Sequence, residues 1–590
     1  MSEGRVDPPT GRDASGPSMA VERDVYVPMR DGVRLAADIF RPDSDGRYPA
    51  LLAISPYGKG IQSLDIPPLP PWAPWWNGAV EAGDPSFIVS RGYVHAIADV
   101  RGTGRSEGDY RGWMSPQEVE DCYDLIEWIA SQPWCDGNVG MAGISYFGTI
   151  QLAVAALGPP HLKAIMPFNA PADFYRECAY HGGILETFFD ALYSRFIGGG
   201  ISVTLEGRTP EDQRALADRV KNSSPDLRTY PHLYNIAENP RMSPCFFDVL
   251  ALPDDGDFYR ERSAYPRYDR IRIPAFFGSG WWAYGHQHLA GAFRNYLGVD
   301  VPRKLLIGPP VTEDRPLPRW YNELLIRWYD HWLKGVDTGL MDEPPIRIFV
   351  MGSNQWRDEH EWPLGRTEWT RFHLRRWGGL ANEPEDCPER PDVFVQQPLD
   401  ETDQIAKVCY STAPLARDLE VTGPVALQLF ASIDQDDTNW IVALRDVAPD
   451  GSMLEVNRGF LKASHRALDE QRSEPWKPYH PHEVAEPVER GTICRYDIEL
   501  NAMSNVFKAG HRIRLEIASM DHPRALAARI EIGGPIHLPY HVCSSRTTVH
   551  RIHHDPAHPS HLLLPVIPAE READSGSRQL DATPTVDVKR

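Results

Sequence analysis

The sequence predicts an α/β core built on a parallel sheet, interrupted by a helical cap and followed by an all-β domain. Up to about residue 171, and again over 269–344, apolar strand-like runs alternate with helical segments. Such alternation folds as strands joined by right-handed helical crossovers. Between these blocks, residues 172–268 carry polar and aromatic helical segments such as 187–193, with no strand signal until Ile273. Over 345–568, short alternating runs such as 425–429, 440–444 and 511–517 are divided by turn residues, as in a sandwich or jelly roll.

With 590 residues the chain exceeds a single core, and two or three domains are expected. A net charge of -21 argues against nucleic acid or an anionic membrane as partner. Residues 1–21 and 569–590 read as polar, disordered tails, and no run is apolar enough for a membrane helix. The eight cysteines are scattered without a C-x-x-C pair. Free thiols in a reducing cytoplasm are therefore expected, with no disulfide framework, metal or other cofactor.

Taken in order, Asp31-Gly32 marks a hairpin turn between two strands in 22–54. The apolar run 50–54 reads as a central strand that ends at Ser55-Pro56-Tyr57-Gly58-Lys59. The loop 68–76 is dense in proline and tryptophan, including Trp72, Trp75 and Trp76. Another strand, 93–98, leads into Asp99-Val100-Arg101, where Asp99 and Arg101 are expected to form a structural salt bridge. Ser115, Pro116 and Glu118 spell a helix start with a capping box.

The stretch the core is organised around is Gly143-Ile144-Ser145-Tyr146-Phe147-Gly148. It follows a buried strand containing Val139 and Met141 and opens a helix stopped by Gly158-Pro159-Pro160. A serine on such a tight turn is the nucleophile elbow of the α/β-hydrolase fold, with the next N–H, on Tyr146, aimed at a developing oxyanion. The usual pattern is G-x-S-x-G; here Phe147 takes the last glycine's place and Gly148 follows it.

Several further segments occur in order with this one: Ser55-Pro56-Tyr57, Asp99 to Gly108, Trp328-Tyr329-Asp330-His331-Trp332, Phe349-Val350-Met351-Gly352, Ser504-Asn505-Val506-Phe507 and His558-Pro559-Ser560-His561. Together they make the chain resemble the cocaine-esterase/X-Pro dipeptidyl-peptidase hydrolases, the CocE/NonD family. The resemblance implies an α/β-hydrolase domain with a helical cap and a C-terminal jelly roll. It also implies ester or amide chemistry through an acyl-enzyme on Ser145, with the Tyr57 hydroxyl joining the Tyr146 N–H in the oxyanion hole.

Two positions depart from the family. Its acid follows a Gly-Trp-Tyr stretch, and here Gly280-Trp281-Trp282 is followed by Ala283. Its histidine follows a Gly-Pro-Trp stretch, and here Gly308-Pro309-Pro310 leads to Thr312. A serine hydroxyl without an adjacent base is a weak nucleophile. Replacement bases or acids are sought at His181, then His286, then His288, and at Glu313 and Asp314. Trp281, Trp282, Trp76 and Phe147 are the expected walls of the substrate pocket. The readings are a hydrolase with a relocated base, a non-hydrolytic enzyme of specialised metabolism (acyltransferase, lyase or cyclase), and an inactive binding protein. The expected partner is a small-molecule ester, amide or biosynthetic intermediate, and assembly as a homodimer is compatible with the sequence.

Overall fold

A computed structural model describes residues 18–64, 80–187, 199–281, 288–309, 319–386, 390–402, 404–521 and 540–568. The core sheet begins with β1 (Met19–Pro28), β2 (Arg34–Pro42), β3 (Tyr48–Ser55), β4 (Val94–Asp99), β5 (Cys135–Met141) and β6 (Leu162–Ala164), in spatial order β1-β2-β4-β3-β5-β6. The β1–β2 hairpin is antiparallel, whereas β4, β3, β5 and β6 run parallel. Strand β1 starts at Met19, paired with Pro42. The expected tail of residues 1–21 therefore ends sooner, because the edge of β2 offers backbone partners that hold 19–21.

The second group comprises β7 (Ala275–Gly280), β8 (Arg303–Gly308), β9 (Ile346–Val350) and β10 (Gln355–Glu359), in the order β10-β9-β8-β7. Ile165 and Phe168 bridge in parallel to Ala275 and Gly278, so the two groups form one continuous sheet. Gly278 allows this approach, since a Cβ there would overlap the Phe168 ring. β9 pairs in parallel with β8 and β10 pairs with β9. Residues 346–359, expected at the start of the β domain, thus also extend the core sheet. Their alternating sequence fits a sheet edge as well as a sandwich.

Helices α1 (Pro116–Ser131), α2 (Tyr146–Ala155), α3 (Leu289–Gly298) and α4 (Arg319–Lys334) cover the sheet. Tyr329 of α4 explains one shared motif. Its hydroxyl donates to the Met141 carbonyl and accepts the Met141 N–H at 3.1 Å, clamping the end of β5. Cap helices Pro210–Ser223, Pro231–Glu238 and Pro244–Ala251 each carry proline in their first turn, where its missing N–H costs nothing. Among the described residues no helix is long and apolar enough to cross a membrane.

Among the described residues the β domain is an eleven-stranded sheet whose long strand Leu419–Ile433 also pairs with the strand His561–Ile567, bending the sheet toward closure. Trp440, Tyr410 and Tyr496 fill its interior. It docks on the core by main-chain pairing: the Met351 N–H donates to the Ser504 carbonyl at 3.1 Å and the Val506 N–H to the Met351 carbonyl at 2.9 Å. Gly352 makes this seam possible, with φ of 77° and the Val506 carbonyl where a Cβ would lie. Gly352→Ala should cost about 1–3 kcal/mol from strain and overlap, read as a lowered urea midpoint; an unchanged midpoint would show that the seam gives way freely.

Candidate active site

Ser145 stands between β5 and α2 with φ 59° and ψ -117°, a strained conformation for a residue with a side chain. Its N–H donates to the Phe168 carbonyl at 3.0 Å, and its carbonyl accepts from Thr149 Oγ1 at 2.9 Å. Buried Gln151 ties the turn to the next strand, donating to the Gly143 carbonyl at 3.2 Å and accepting the Met166 N–H at 2.8 Å. The glycine spacing now has a reason. A Cβ at Gly148 would lie 2.6 Å from the Phe168 carbonyl, whereas one at Gly143 would lie 2.5 Å from the Phe147 Cβ. Phe147 is tolerated because Gly143 makes room for it.

The half-buried Ser145 hydroxyl has a histidine beside it: Oγ lies 3.1 Å from His288 Nε2. His288 is buried and stands at the N-cap of α3, just beyond β7. Sequence reasoning placed it last of three histidines, since neither pattern nor spacing says which way a loop turns its imidazole. The nearest signal was its position, directly before an apolar helix that follows a core strand.

Tyr146 is the first residue of α2, so its N–H has no acceptor within the helix. Its ring is fully buried, 4.9 Å from the Trp113 ring and 5.6 Å from that of Tyr57. Tyr57 lies in the turn after β3, held by Asp99, which accepts the Lys59 N–H at 2.6 Å and the Arg105 N–H at 2.9 Å. The expected Asp99–Arg101 salt bridge is corrected: Arg101 pairs with Asp121 at 2.6 Å and with Asp31 at 2.8 Å. Asp99 serves main-chain donors, a cheaper way to satisfy a buried carboxylate than an ion pair.

His181 is corrected as a candidate base. Its Nδ1 lies 2.8 Å from His541 Nε2 and its Nε2 lies 3.1 Å from the Glu177 carbonyl, so both nitrogens are engaged. Burial pushes its pKa down to about 3. His541 Nδ1 in turn meets Asp521 at 2.8 Å. Trp281 is corrected as a pocket wall: it is 1% exposed, donates Nε1–H to the Phe349 carbonyl at 2.6 Å and stacks on Phe293. Phe147 is fully buried under the Tyr57 ring and supports the elbow from below. Trp76, Trp282, Ala283, His286, Thr312, Glu313 and Asp314 lie outside the described residues.

A strained serine on a strand–helix turn of a mainly parallel sheet, with an imidazole at hydrogen-bond distance, places the chain in the α/β-hydrolase class. Residues 31–311 match the X-Pro dipeptidyl-peptidase (S15 family) model, and 338–563 match the X-Pro dipeptidyl-peptidase C-terminal non-catalytic domain. Cocaine esterase of Rhodococcus sp. is 31% identical, covering 93% of this chain and 99% of its own. The chain belongs to this cocaine-esterase/X-Pro dipeptidyl-peptidase family of hydrolases, CocE/NonD. Solved structures share the fold: a CocE/NonD family hydrolase from Staphylococcus aureus has a TM-score of 0.74 at 24% identity, covering 93% of this chain and 94% of its own. An alpha-amino acid ester hydrolase has a TM-score of 0.71 at 20% identity, covering 95% and 98%.

Behind the elbow, the Tyr146 hydroxyl donates to Glu118 Oε1 at 2.6 Å. Ser115 caps the Glu118 N–H at 3.3 Å as expected, but the Glu118 carboxyl turns to Tyr146. Burial is the largest influence on that carboxyl and pushes its pKa up to about 8; Asp121 adds to this, while Tyr146 and Arg262 oppose it. The folded chain therefore keeps a proton that the unfolded chain loses near its ordinary value of 4.5, and stability falls as pH rises from about 4.5 to about 8. Glu118→Gln should remove this dependence. Urea unfolding at pH 5 and pH 8 should show the variant gaining on the parent at the higher pH; a constant difference would refute the buried proton.

Proposed function

We propose that the chain hydrolyses small esters or amides by acyl transfer, with Ser145 as nucleophile and His288 as general base. The supporting observation is the 3.1 Å contact between Ser145 Oγ and His288 Nε2. The Ser145 hydroxyl donates its proton to Nε2 as Oγ attacks the substrate carbonyl. The imidazolium then returns that proton to the leaving group, and water repeats the cycle on the acyl-enzyme. The Tyr146 N–H and the Tyr57 hydroxyl hold the oxyanion. The base thus comes from the N-terminus of α3, while Ala283 and Thr312 stand at the family's acid and histidine positions.

A hydroxyl–imidazole pair is the minimum that acyl transfer through serine needs, whether water or another nucleophile takes the acyl group, and a scaffold requires none. The relatives' names point the same way: one acts on cocaine, an ester, and the matching family models are named for dipeptide release from X-Pro peptides.

A fluorophosphonate probe should label the parent and not Ser145→Ala. His288→Ala should lower kcat on p-nitrophenyl acetate by about 10³-fold or more, while His181→Ala should leave it within about tenfold. Full turnover in His288→Ala would rule out this base. Tyr57→Phe should lower kcat by about 10²–10³-fold with a smaller effect on KM, as expected for losing one oxyanion donor; an effect confined to KM would assign the hydroxyl to ground-state binding.

A further inference from the structure

A cavity of about 440 Å³ opens where α3, the cap segment 173–182 and the β domain meet. Small-molecule sites commonly measure roughly 300–1,000 Å³. Ala290, Arg294, Leu297 and Gly298 supply the α3 wall, a spacing that forms one stripe along a helix. His288 precedes Ala290 by two residues, about 200° around the helix axis, and meets Ser145 instead. The cavity and the serine therefore lie on opposite sides of α3.

Most charges on the cavity wall are already neutralised. Arg176 lies 3.0 Å from Asp173 and 2.8 Å from Asp255. Arg294 lies 2.8 Å from Glu177, and Arg458 pairs with Glu455. Arg472, Lys477 and Glu499 also line the cavity, and among the described residues none of these three makes an ion pair or side-chain hydrogen bond. Arg472 and Lys477 are thus two cations on this wall that no ion pair among the described residues holds. The Arg472 guanidinium lies over the Tyr479 ring, 3.6 Å from its centroid, which leaves its N–H edge available for a planar anion. Burial pushes the Lys477 ammonium below its usual range, with Arg294 adding repulsion against the pull of Glu499; an entering anion would relieve both penalties.

We infer that this cavity binds a small organic anion, held through a carboxylate or phosphate by Arg472 and Lys477. Guanidinium supplies paired donors and ammonium a mobile point charge, the combination that suits either head group. Because the walls come from three parts of the chain, an occupant stabilises their docking by mass action.

Calorimetric titration of the full chain with succinate and, separately, with inorganic phosphate tests this. Saturable binding is expected for at least one probe, and the tighter of the two identifies the head group. Arg472→Ala combined with Lys477→Ala should weaken that binding at least about tenfold. Lys477→Gln, which keeps the side chain's bulk and removes its charge, should weaken it in the same direction. Fluorophosphonate labelling of the double variant should match the parent, and Ser145→Ala should bind the anion as the parent does. Absence of saturable heat with both probes, or equal affinity in the double variant, would overturn the site.

Discussion

The backbone of Ser145 is the constraint on which the rest of the core depends. Holding a non-glycine residue at φ 59° costs on the order of 1–3 kcal/mol, and the fold recovers it through fixed partners on every side. The Phe168 carbonyl takes the Ser145 N–H, Gln151 binds both flanking strands, and Tyr329 reaches from α4 to grip Met141. Gly143 and Gly148 are the places where close approach leaves no room for a Cβ. The turn exposes its hydroxyl because the surrounding sheet leaves it no other path.

The base in the proposed mechanism draws its aim from a helix. A histidine in a loop past β8 would depend on that loop for its aim. His288 instead stands at the start of a ten-residue helix packed on the sheet, with Gly291 and Ala292 buried behind it. Its placement is therefore set by the packing of α3, and a rigid element holds catalytic geometry better than a loop.

The architecture was legible because hydrophobic period and turn chemistry act locally: hairpin, elbow, capped helix and β domain all follow from short patterns. What was not legible depends on tertiary direction. The Asp99–Arg101 pair reads as a salt bridge from proximity in sequence, yet the two side chains leave β4 toward different partners. His181 and His288 look alike in sequence, and only the packed cap shows that one imidazole is used up while the other meets the serine. Trp281 reads as a pocket wall because it follows a core strand, but its indole turns into the seam with the β domain, where the Phe349 carbonyl takes its N–H.

The string from Glu177 through His181 and His541 to Asp521 runs from the cap into the β domain through three contacts of 3.1, 2.8 and 2.8 Å. Each imidazole bridges two partners, so turning either ring breaks two contacts at once. The join between cap and β domain therefore fixes the mutual orientation of two rings and is directional as well as apolar.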